Sequence, residues 1–256
     1  MRSNLALAAL LSCLASAAGA ETAGYLAGRE PNELAVIPQA PAPGSARDEA
    51  DRAIFRATRA LKNTARWALA QNDVKLSTPD FFRDFSCAVG VSLRQDRLPT
   101  LAAILEKSDP DMDLAVDPAK QRFKRPRPYL RDEGPTCEPR SEQMSKTYDY
   151  PSGHAAYGWA TGLIIAQLAP DRTGPILQRA RAYGESRAVC GVHSASAVEA
   201  SRTAASALLA ALNADAAFRV DVAKAHREMA ALRASPGAAK PEACTAEQAL
   251  TAATPW

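Results

Sequence analysis

Three short segments of the sequence combine cationic, hydroxyl, glycine and imidazole residues in a pattern that suits an anionic substrate. The first is Lys120 to Tyr129, which includes Arg127-Pro128; the second is Pro151-Ser152-Gly153-His154; the third runs from Ser186-Arg187 to His193. Lysine and arginine neutralise and hydrogen-bond phosphoryl oxygens. A Ser-Gly pair before a helix adds a hydroxyl and unpaired backbone N–H groups, and a histidine can serve as nucleophile or general acid.

Each segment also has a plain structural interpretation. Pro126 and Pro128 are expected to hold the basic segment stiff and extended, which would present its cations at fixed places. In the plain interpretation the segment would be a solvated surface, Ser152 an ordinary helix N-cap, and His193 a core histidine in a turn. The distribution of histidine argues for chemistry, because the chain has three and two of them fall in these segments. The third, His226, lies among charged residues of a predicted helix. Taken together, the segments favour a phosphate-binding site.

In order and spacing, the segments resemble the signature K-x6-R-P, P-S-G-H and S-R-x5-H-x3-D of the class A bacterial nonspecific acid phosphatases. That family lies within the type 2 phosphatidic acid phosphatase and vanadium haloperoxidase superfamily. The resemblance extends from about residue 46 to residue 233, and three ordered motifs rarely coincide by chance. It implies an all-α fold, as a single compact helical domain of the acid phosphatase and vanadium haloperoxidase type.

The same resemblance implies which residues bind phosphate. Lys120, Arg127 and Arg187 would hold the phosphoryl oxygens. Ser152 and the backbone of Gly153 would complete the binding site. Three cations would already neutralise the charge that develops on the phosphoryl group, so neither a metal ion nor another cofactor is expected.

The resemblance also implies that two histidine side chains carry out the chemical steps. His193 would attack phosphorus and form a phosphohistidine, and His154 would protonate the leaving alkoxide before water releases phosphate. The activity implied is that of an acid phosphatase, a phosphoric monoester hydrolase. Its substrates would be small phosphate monoesters.

The sequence departs from the signature at the last residue, where Ala197 replaces the aspartate that would bind the imidazole of His193. If both positions share a helix, residues four apart lie on one face and Glu199 points away. Ser196 or a loop acid such as Asp149 could accept the imidazole hydrogen bond instead, and the sequence does not choose between them. The hypothesis is a slowed but real phosphatase.

Other functions fit less of the sequence. A phosphate-binding pseudoenzyme of the same fold would explain Ala197 and would bind phosphate without turnover. A lipid phosphate phosphatase is a second alternative, although such relatives usually carry several membrane spans. Vanadate-dependent haloperoxidases are typically much longer chains.

The first 20 residues have the composition of a secretory signal peptide. Arg2 precedes an apolar run over residues 5–14, and Ala18-Gly19-Ala20 offers small residues to a signal peptidase, so cleavage is expected near Ala20. No later stretch reaches about 18 uninterrupted apolar residues. The mature protein is therefore expected in the periplasm or secreted, without a membrane span.

Four cysteines remain after the signal is removed: Cys87, Cys137, Cys190 and Cys244. In an oxidising compartment they fit two disulfides, and three pairings are open. If one or more instead stay as buried thiols, the sequence would not reveal it.

The charge balance excludes a strongly basic or acidic protein. The chain has 31 Lys and Arg against 28 Asp and Glu, and loss of Arg2 with the signal leaves a formal charge of +2. Nothing in this balance points to nucleic acid as a partner. The oligomeric state stays open, and a homo-oligomer is one of the alternatives.

Periodicity and capping residues place these segments in a helical domain over residues 45–233, between an extended arm over 21–44 and a flexible tail over 234–256. Prolines recur between residues 108 and 150, which predicts a long functional loop there. The predicted helices are 47–72, one starting at Thr78-Pro79, a short one starting at Thr100, 154–168, 176–189, 193–212, and one from Asn213 or Asp215 to about Arg233.

Overall fold

The computed structural model describes residues 23–29, 35–236 and 238–256, and within these ranges the chain forms ten α-helices and no β-strand. The predicted all-α fold is confirmed. The predicted signal peptide, residues 1–20, lies outside the described residues. The helices are α1 (Ala46–Thr58), α2 (Ala65–Asn72), α3 (Thr78–Val89), α4 (Pro99–Phe123), α5 (Glu142–Ser145), α6 (Gly153–Leu168), α7 (Thr173–Val189), α8 (Ala195–Ala214), α9 (Ala216–Ala234) and α10 (Cys244–Ala252).

Helix α6 lies at the centre of the packing and contacts α4, α7, α8 and α9. Its sequence is apolar around most of its circumference, which is typical of a helix enclosed by others. Neither α6 nor any other helix in the described ranges is long and apolar enough to cross a membrane. Side chains of the main core include Phe82, Phe85, Ile104, Ile164, Ile165, Leu208 and Phe218.

Two glycines let α7 approach α6 closely. A Cβ added to Gly162 would overlap the Cβ of Ala180, and one added to Gly158 would overlap the ring of Tyr183. Because α6 begins at the second motif and α7 ends with the third, this close packing fixes the separation of the two motifs.

Several helices start where capping residues predict. Ser45 accepts the backbone N–H of Asp48 at the start of α1, and Asp215 caps α9 in the same way. The cap of α3 is Ser77, directly before the predicted start. Such caps satisfy backbone N–H groups that have no partner within the helix.

The sequence predicts a long loop over residues 108–150, and this prediction is wrong for residues 108–123, which are helical. The helix predicted to be short is the 25-residue α4, which continues through Pro110 and Pro118. A proline inside a helix costs about 3 kcal/mol, and burial of the apolar side of α4 outweighs that cost. The buried residues in its second half are Asp111, Met112, Ala115, Val116 and Ala119.

The first motif is consequently part helix and part extended chain. Lys120 lies in the last turn of α4, so the prediction of a stiff extended segment is wrong for residues 120–123. Beyond Lys124 the chain is extended as far as Arg127, and a 3-10 turn follows over Pro128–Leu130. The remaining loop up to residue 152 contains only the single turn of α5.

The helix predicted over residues 47–72 is interrupted. A 3-10 turn over Arg59–Leu61 follows α1, and Asn63 adopts a positive φ of 66°. Thr64 then caps α2. The two pieces can therefore pack in different directions against α7.

Both ends of the described chain pack against the helices. The backbone N–H groups of Tyr25 and Leu26 donate to the carboxylate of Asp111 on α4. The segment predicted as a flexible tail contains α10, which Cys244 joins to Cys87 of α3. A short helix of this kind is hard to predict because the disulfide, rather than the local sequence, holds it in place.

The second disulfide joins Cys137 to Cys190. It connects the loop before α5 to the turn between α7 and α8, and the backbone N–H of Cys137 donates to the carbonyl of Cys190. Of the three pairings that the sequence leaves open, the structure therefore contains Cys87–Cys244 with Cys137–Cys190.

The contact between α6 and α7 leads to a prediction about stability. Gly162→Ala places a methyl group against Ala180, so we expect the free energy of unfolding to fall by about 1–3 kcal/mol. Gly174→Ala is the matched control, because nothing lies within 4 Å of the added Cβ, and alanine should stabilise that helix by about 0.5–1 kcal/mol. Urea unfolding of both variants measures the difference. Equal effects would contradict the close contact.

Candidate active site

The first two motifs meet at the start of α6. Lys120, in the last turn of α4, places its Nζ 3.4 Å from the position that a Cβ on Gly153 would occupy. The same ammonium group lies 3.2 Å from Asp117, which is largely exposed. A cation therefore lies against the N-terminus of a helix, where backbone N–H groups also attract an anion.

Arg127 joins the first motif to the third. Its Nη1 donates to the carbonyl of Val192 at 2.9 Å and lies 3.0 Å from Nε2 of His193. The other side of the guanidinium donates to the hydroxyl of Thr147, at 3.2 and 2.7 Å. Arg127 is buried, so these contacts fix it in one position beside the imidazole.

The contacts of His193 determine which ring nitrogen carries its proton. His193 lies directly before Ser194, the residue that caps α8, and its Nδ1 is 2.6 Å from the backbone carbonyl of Asp149. A carbonyl can only accept and the guanidinium of Arg127 can only donate. Nδ1 therefore carries the proton, and the lone pair is on Nε2, on the side of the cations.

Arg187 contributes unused hydrogen-bond donors. It is almost completely buried on α7, and its Nη2 lies 2.5 Å from the carboxylate of Glu138. Its Nε and Nη1 have no partner among the described residues. Buried donors are seldom left unpaired in proteins, so a guanidinium with two free donors is a site for an anion.

Ser152 and His154 lie at the N-terminus of α6. The hydroxyl oxygen of Ser152 accepts the backbone N–H of Ala155 at 3.4 Å, which leaves its O–H to donate elsewhere. The Nε2 of His154 donates to the carbonyl of Val74 at 3.0 Å. Because Nε2 carries that hydrogen, Nδ1 is the nitrogen of His154 that can gain a proton.

Electrostatic effects keep both imidazoles neutral. Burial lowers the pKa of His193 well below its ordinary value, and the positive charges of Arg127, Arg187 and Lys120 lower it further. The pKa of His154 is lowered by burial and then mainly by the charge of Arg187. Each ring thus responds to cations from more than one motif, so the structure brings the predicted cations and imidazoles together in one place.

Five residues that the sequence analysis did not combine form a buried ionic cluster behind His193. Arg125 lies 2.8 Å from Asp48, 2.9 Å from Asp51 and 3.2 Å from Asp149, and Arg131 lies 2.6 Å from Asp48. The first two acids share the side of α1 that also buries Phe55. An acid on the apolar side of a helix predicts a buried cation as its partner, and this signal was present in the sequence.

The structure also decides between the proposed replacements for the missing aspartate. His193 precedes α8, so the expected helical relationship between residues 193 and 197 does not apply. Ala197 is fully buried among apolar side chains. Ser196 is wrong as a replacement, because its hydroxyl accepts from Arg125 and donates to Asp51, while Nδ1 of His193 faces Asp149. Glu199 faces away, as predicted, and Asp149 is the acid that reaches the imidazole.

No group of three or more His, Cys, Asp and Glu residues in the described ranges is arranged to hold a metal ion. The three buried acids behind His193 face guanidinium groups instead.

Comparisons with known proteins point to one family. The profile of the PAP2 superfamily matches residues 112–220, a span that contains all seven predicted site residues. The chain is 38% identical to an acid phosphatase of Zymomonas mobilis over 209 residues, which is 81% of this chain and 79% of that protein. It is 34% identical to a non-specific acid phosphatase of Providencia stuartii over 79% of this chain and 82% of that protein. A non-specific acid phosphatase of Salmonella typhimurium is 32% identical over 66% of this chain and 69% of that protein.

The ion pair between Glu138 and Arg187 predicts that a bound anion must compete with the Glu138 carboxylate for the Arg187 guanidinium. Glu138→Gln removes the carboxylate that occupies one donor of Arg187, so we expect inorganic phosphate to bind about tenfold more tightly. Isothermal titration with phosphate measures the change. Glu142→Gln is the matched control, because Glu142 is exposed in the same loop and pairs with Lys146. Equal affinities in the Glu138 variant and the native protein would contradict the competition.

Proposed function

The chain belongs to the PAP2 superfamily and, within it, to the class A bacterial non-specific acid phosphatases, and on this basis we propose that it hydrolyses phosphate monoesters through a phosphohistidine on His193. The observation that carries the proposal is the contact of 3.0 Å between Arg127 Nη1 and Nε2 of His193. Beside it, buried Arg187 has two donors that find no partner among the described residues. A nucleophilic lone pair and unsatisfied cationic donors thus lie in one buried site.

When substrate binds, only the hydrogen-bond donors of the site would need to change partners. A phosphoryl group carries oxygens that accept from Lys120, Arg127, Arg187, the hydroxyl of Ser152 and the backbone N–H of Gly153. Arg127 would move its Nη1 hydrogen from the imidazole of His193 to a phosphoryl oxygen. That movement would release the Nε2 lone pair at the moment when phosphorus arrives.

In the first chemical step, the Nε2 lone pair of His193 forms the N–P bond while the bond from phosphorus to the leaving oxygen breaks. The electron pair of that bond goes to the leaving oxygen, which takes a proton from Nδ1 of His154 in the fraction of enzyme whose His154 has first gained that proton from solvent. In the second step, His154 accepts a proton from water, the water oxygen bonds to phosphorus and the N–P bond breaks. The three cations stabilise the charge on the equatorial oxygens in both steps.

The presence of Ala197, where the family signature has aspartate, bears on the rate of phosphate ester hydrolysis. We propose that the absence of an aspartate at Ala197 slows turnover without abolishing it, because the His193 ring already has a partner at Nδ1. A phosphate-binding pseudoenzyme is the second candidate. It would share the anion site and differ only in the absence of turnover.

We also propose that the enzyme is exported to the periplasm or secreted. The apolar segment over residues 5–14, followed by Ala18-Gly19-Ala20, supports export. Two disulfides in a domain of this size fit an oxidising compartment.

The role of His193 is tested by replacing each of two histidines in turn. His193→Asn should lower turnover of p-nitrophenyl phosphate by about a thousandfold or more, because the nucleophile is lost. His226→Asn is the matched control, since that histidine is exposed on α9, and it should leave turnover unchanged. The assay contains EDTA to test metal independence, and rapid alkaline quench with labelled substrate detects the phosphohistidine, whose N–P bond is stable in alkali. Binding of phosphate by an inactive native protein would favour the pseudoenzyme.

The low pKa of His154 sets the direction of the pH dependence. A general acid must be protonated, so above its pKa the protonated fraction rises about tenfold for each pH unit of acidification. The pKa of His193 is lowered as well, so the nucleophile stays unprotonated over that range. We expect kcat/KM for an alkyl phosphate to increase as the pH falls from about 7.5 to about 5.5.

The variant His154→Asn checks this assignment. It should flatten the pH dependence for alkyl phosphates, whose leaving groups need a proton, and affect p-nitrophenyl phosphate much less. If the variant kept the native pH profile with alkyl phosphates, another group would be the acid.

A further inference from the structure

Attack by His193 creates an electrostatic problem that the phosphate-binding residues cannot solve. Once Nε2 bonds to phosphorus while Nδ1 keeps its hydrogen, the ring is a cation. The charges of Arg127, Arg187 and Lys120 already disfavour the charged form of this ring. A negative charge on the Nδ1 side would offset that effect, and Ala197 does not supply one.

One carboxylate of the described residues lies at that nitrogen. Oδ1 of Asp149 is 3.3 Å from Nδ1 of His193, and the backbone carbonyl of the same residue is 2.6 Å away. Asp149 therefore faces the imidazole with two acceptors. Its side chain is 1% exposed, so water screens this charge very little.

We propose that Asp149 is the positioning residue of His193: its carbonyl keeps the proton on Nδ1, and its carboxylate stabilises the imidazolium that forms when Nε2 bonds to phosphorus. This inference rests on the function proposed above. No proton passes to Asp149 in either chemical step. The Nδ1 hydrogen stays on the ring, and the gain is the attraction between a buried anion and a transient cation.

The surroundings of Asp149 indicate that its carboxyl group is ionised. Oδ1 faces the backbone N–H of Ser194 at 2.9 Å, and Oδ2 faces the guanidinium of Arg125 at 3.2 Å. Both neighbours can only donate, and the hydroxyl of Ser194, which accepts from Arg125, donates to Oδ2 at 2.6 Å, so each oxygen acts as an acceptor. Burial raises the pKa of Asp149, and Arg125 and Ser194 act in the opposite direction.

The ionic cluster behind His193 supports the same role. Arg125 and Arg131 face three carboxylates, those of Asp48, Asp51 and Asp149, and of these three Asp149 is the one that also lies at the ring. A phosphorylated His193 ring would bring a positive charge next to that carboxylate. The attraction between them is therefore stronger in the intermediate than in the free enzyme, which is the condition for lowering a barrier rather than only binding substrate.

The chain contains a closely matched control for Asp149. Asp51 also pairs with Arg125, at 2.9 Å, and it accepts the backbone N–H and the hydroxyl of Ser196 at 2.9 and 2.5 Å. Asp149 accepts the same two groups from Ser194 at 2.9 and 2.6 Å. Both acids are buried. The difference that matters for the test is that Asp149, of these two acids, also reaches His193.

The experiment compares Asp149→Asn with Asp51→Asn in the full-length mature enzyme. Asp149→Asn should lower kcat for p-nitrophenyl phosphate by about a hundredfold, while KM and the inhibition constant for inorganic phosphate change by less than about threefold. Asp51→Asn should retain kcat within about threefold, although both variants lose thermal stability. Equal losses of kcat in the two variants, or no loss in Asp149→Asn, would overturn the proposal.

A measurement on the native protein covers the case in which Asp149→Asn does not fold. NMR of enzyme labelled with ¹⁵N-histidine should show His193 as the neutral tautomer with hydrogen on Nδ1, and the resonances are assigned by their loss in His193→Asn. Hydrogen on Nε2 would overturn the proposal. Failure of the proposed function is distinguishable, because the native enzyme would then show no turnover that depends on His193.

Discussion

Like charges held together in a buried site repel one another, and most features of this site follow from that constraint. Lys120, Arg127 and Arg187 come from α4, from the segment after it and from α7. Burial, and then the positive charges of these side chains, lower the pKa of both imidazoles and keep them neutral, and a neutral imidazole has the lone pair that a nucleophile needs. In the absence of substrate, the carboxylate of Glu138 takes one of the donors of Arg187. Under the proposed function, a tetrahedral phosphoryl group would accept from all three cations at once and offset their repulsion.

Charged residues lie on both sides of the His193 ring, with Arg127 at Nε2 and Asp149 of the buried ionic cluster at Nδ1. Arg127 binds the carbonyl of Val192 and the ring itself. Arg125, two residues earlier on the same extended segment, binds the hydroxyls at the start of α8 and the buried acids. The rings of Pro126 and Pro128 restrict the backbone beside both arginines, so one short, stiff segment contacts His193 and the acids behind it.

The sequence predicts the residues of the site better than the elements that carry them. Motifs identify Lys120 and His193 because cations and imidazoles beside glycine turns are informative wherever they occur. The path of the chain between motifs depends on tertiary burial, which is why Pro110 failed to end α4. Similarly, no local pattern shows that the partner of the imidazole lies 44 residues before it, at Asp149. Long-range pairings of this kind are set by how the helices pack and not by the residues that flank them.

The disulfide between Cys137 and Cys190 has a consequence for unfolding and refolding of the site. It closes a covalent ring over a sequence separation of 53, and Asp149, Ser152 to His154 and Arg187 all lie within that ring. Such a closure removes about 4 kcal/mol of chain entropy from the unfolded state. In the unfolded chain, more than half of the site residues therefore remain within one covalently closed loop. The loop limits how far apart these residues can move, so fewer conformations have to be searched when the site forms again.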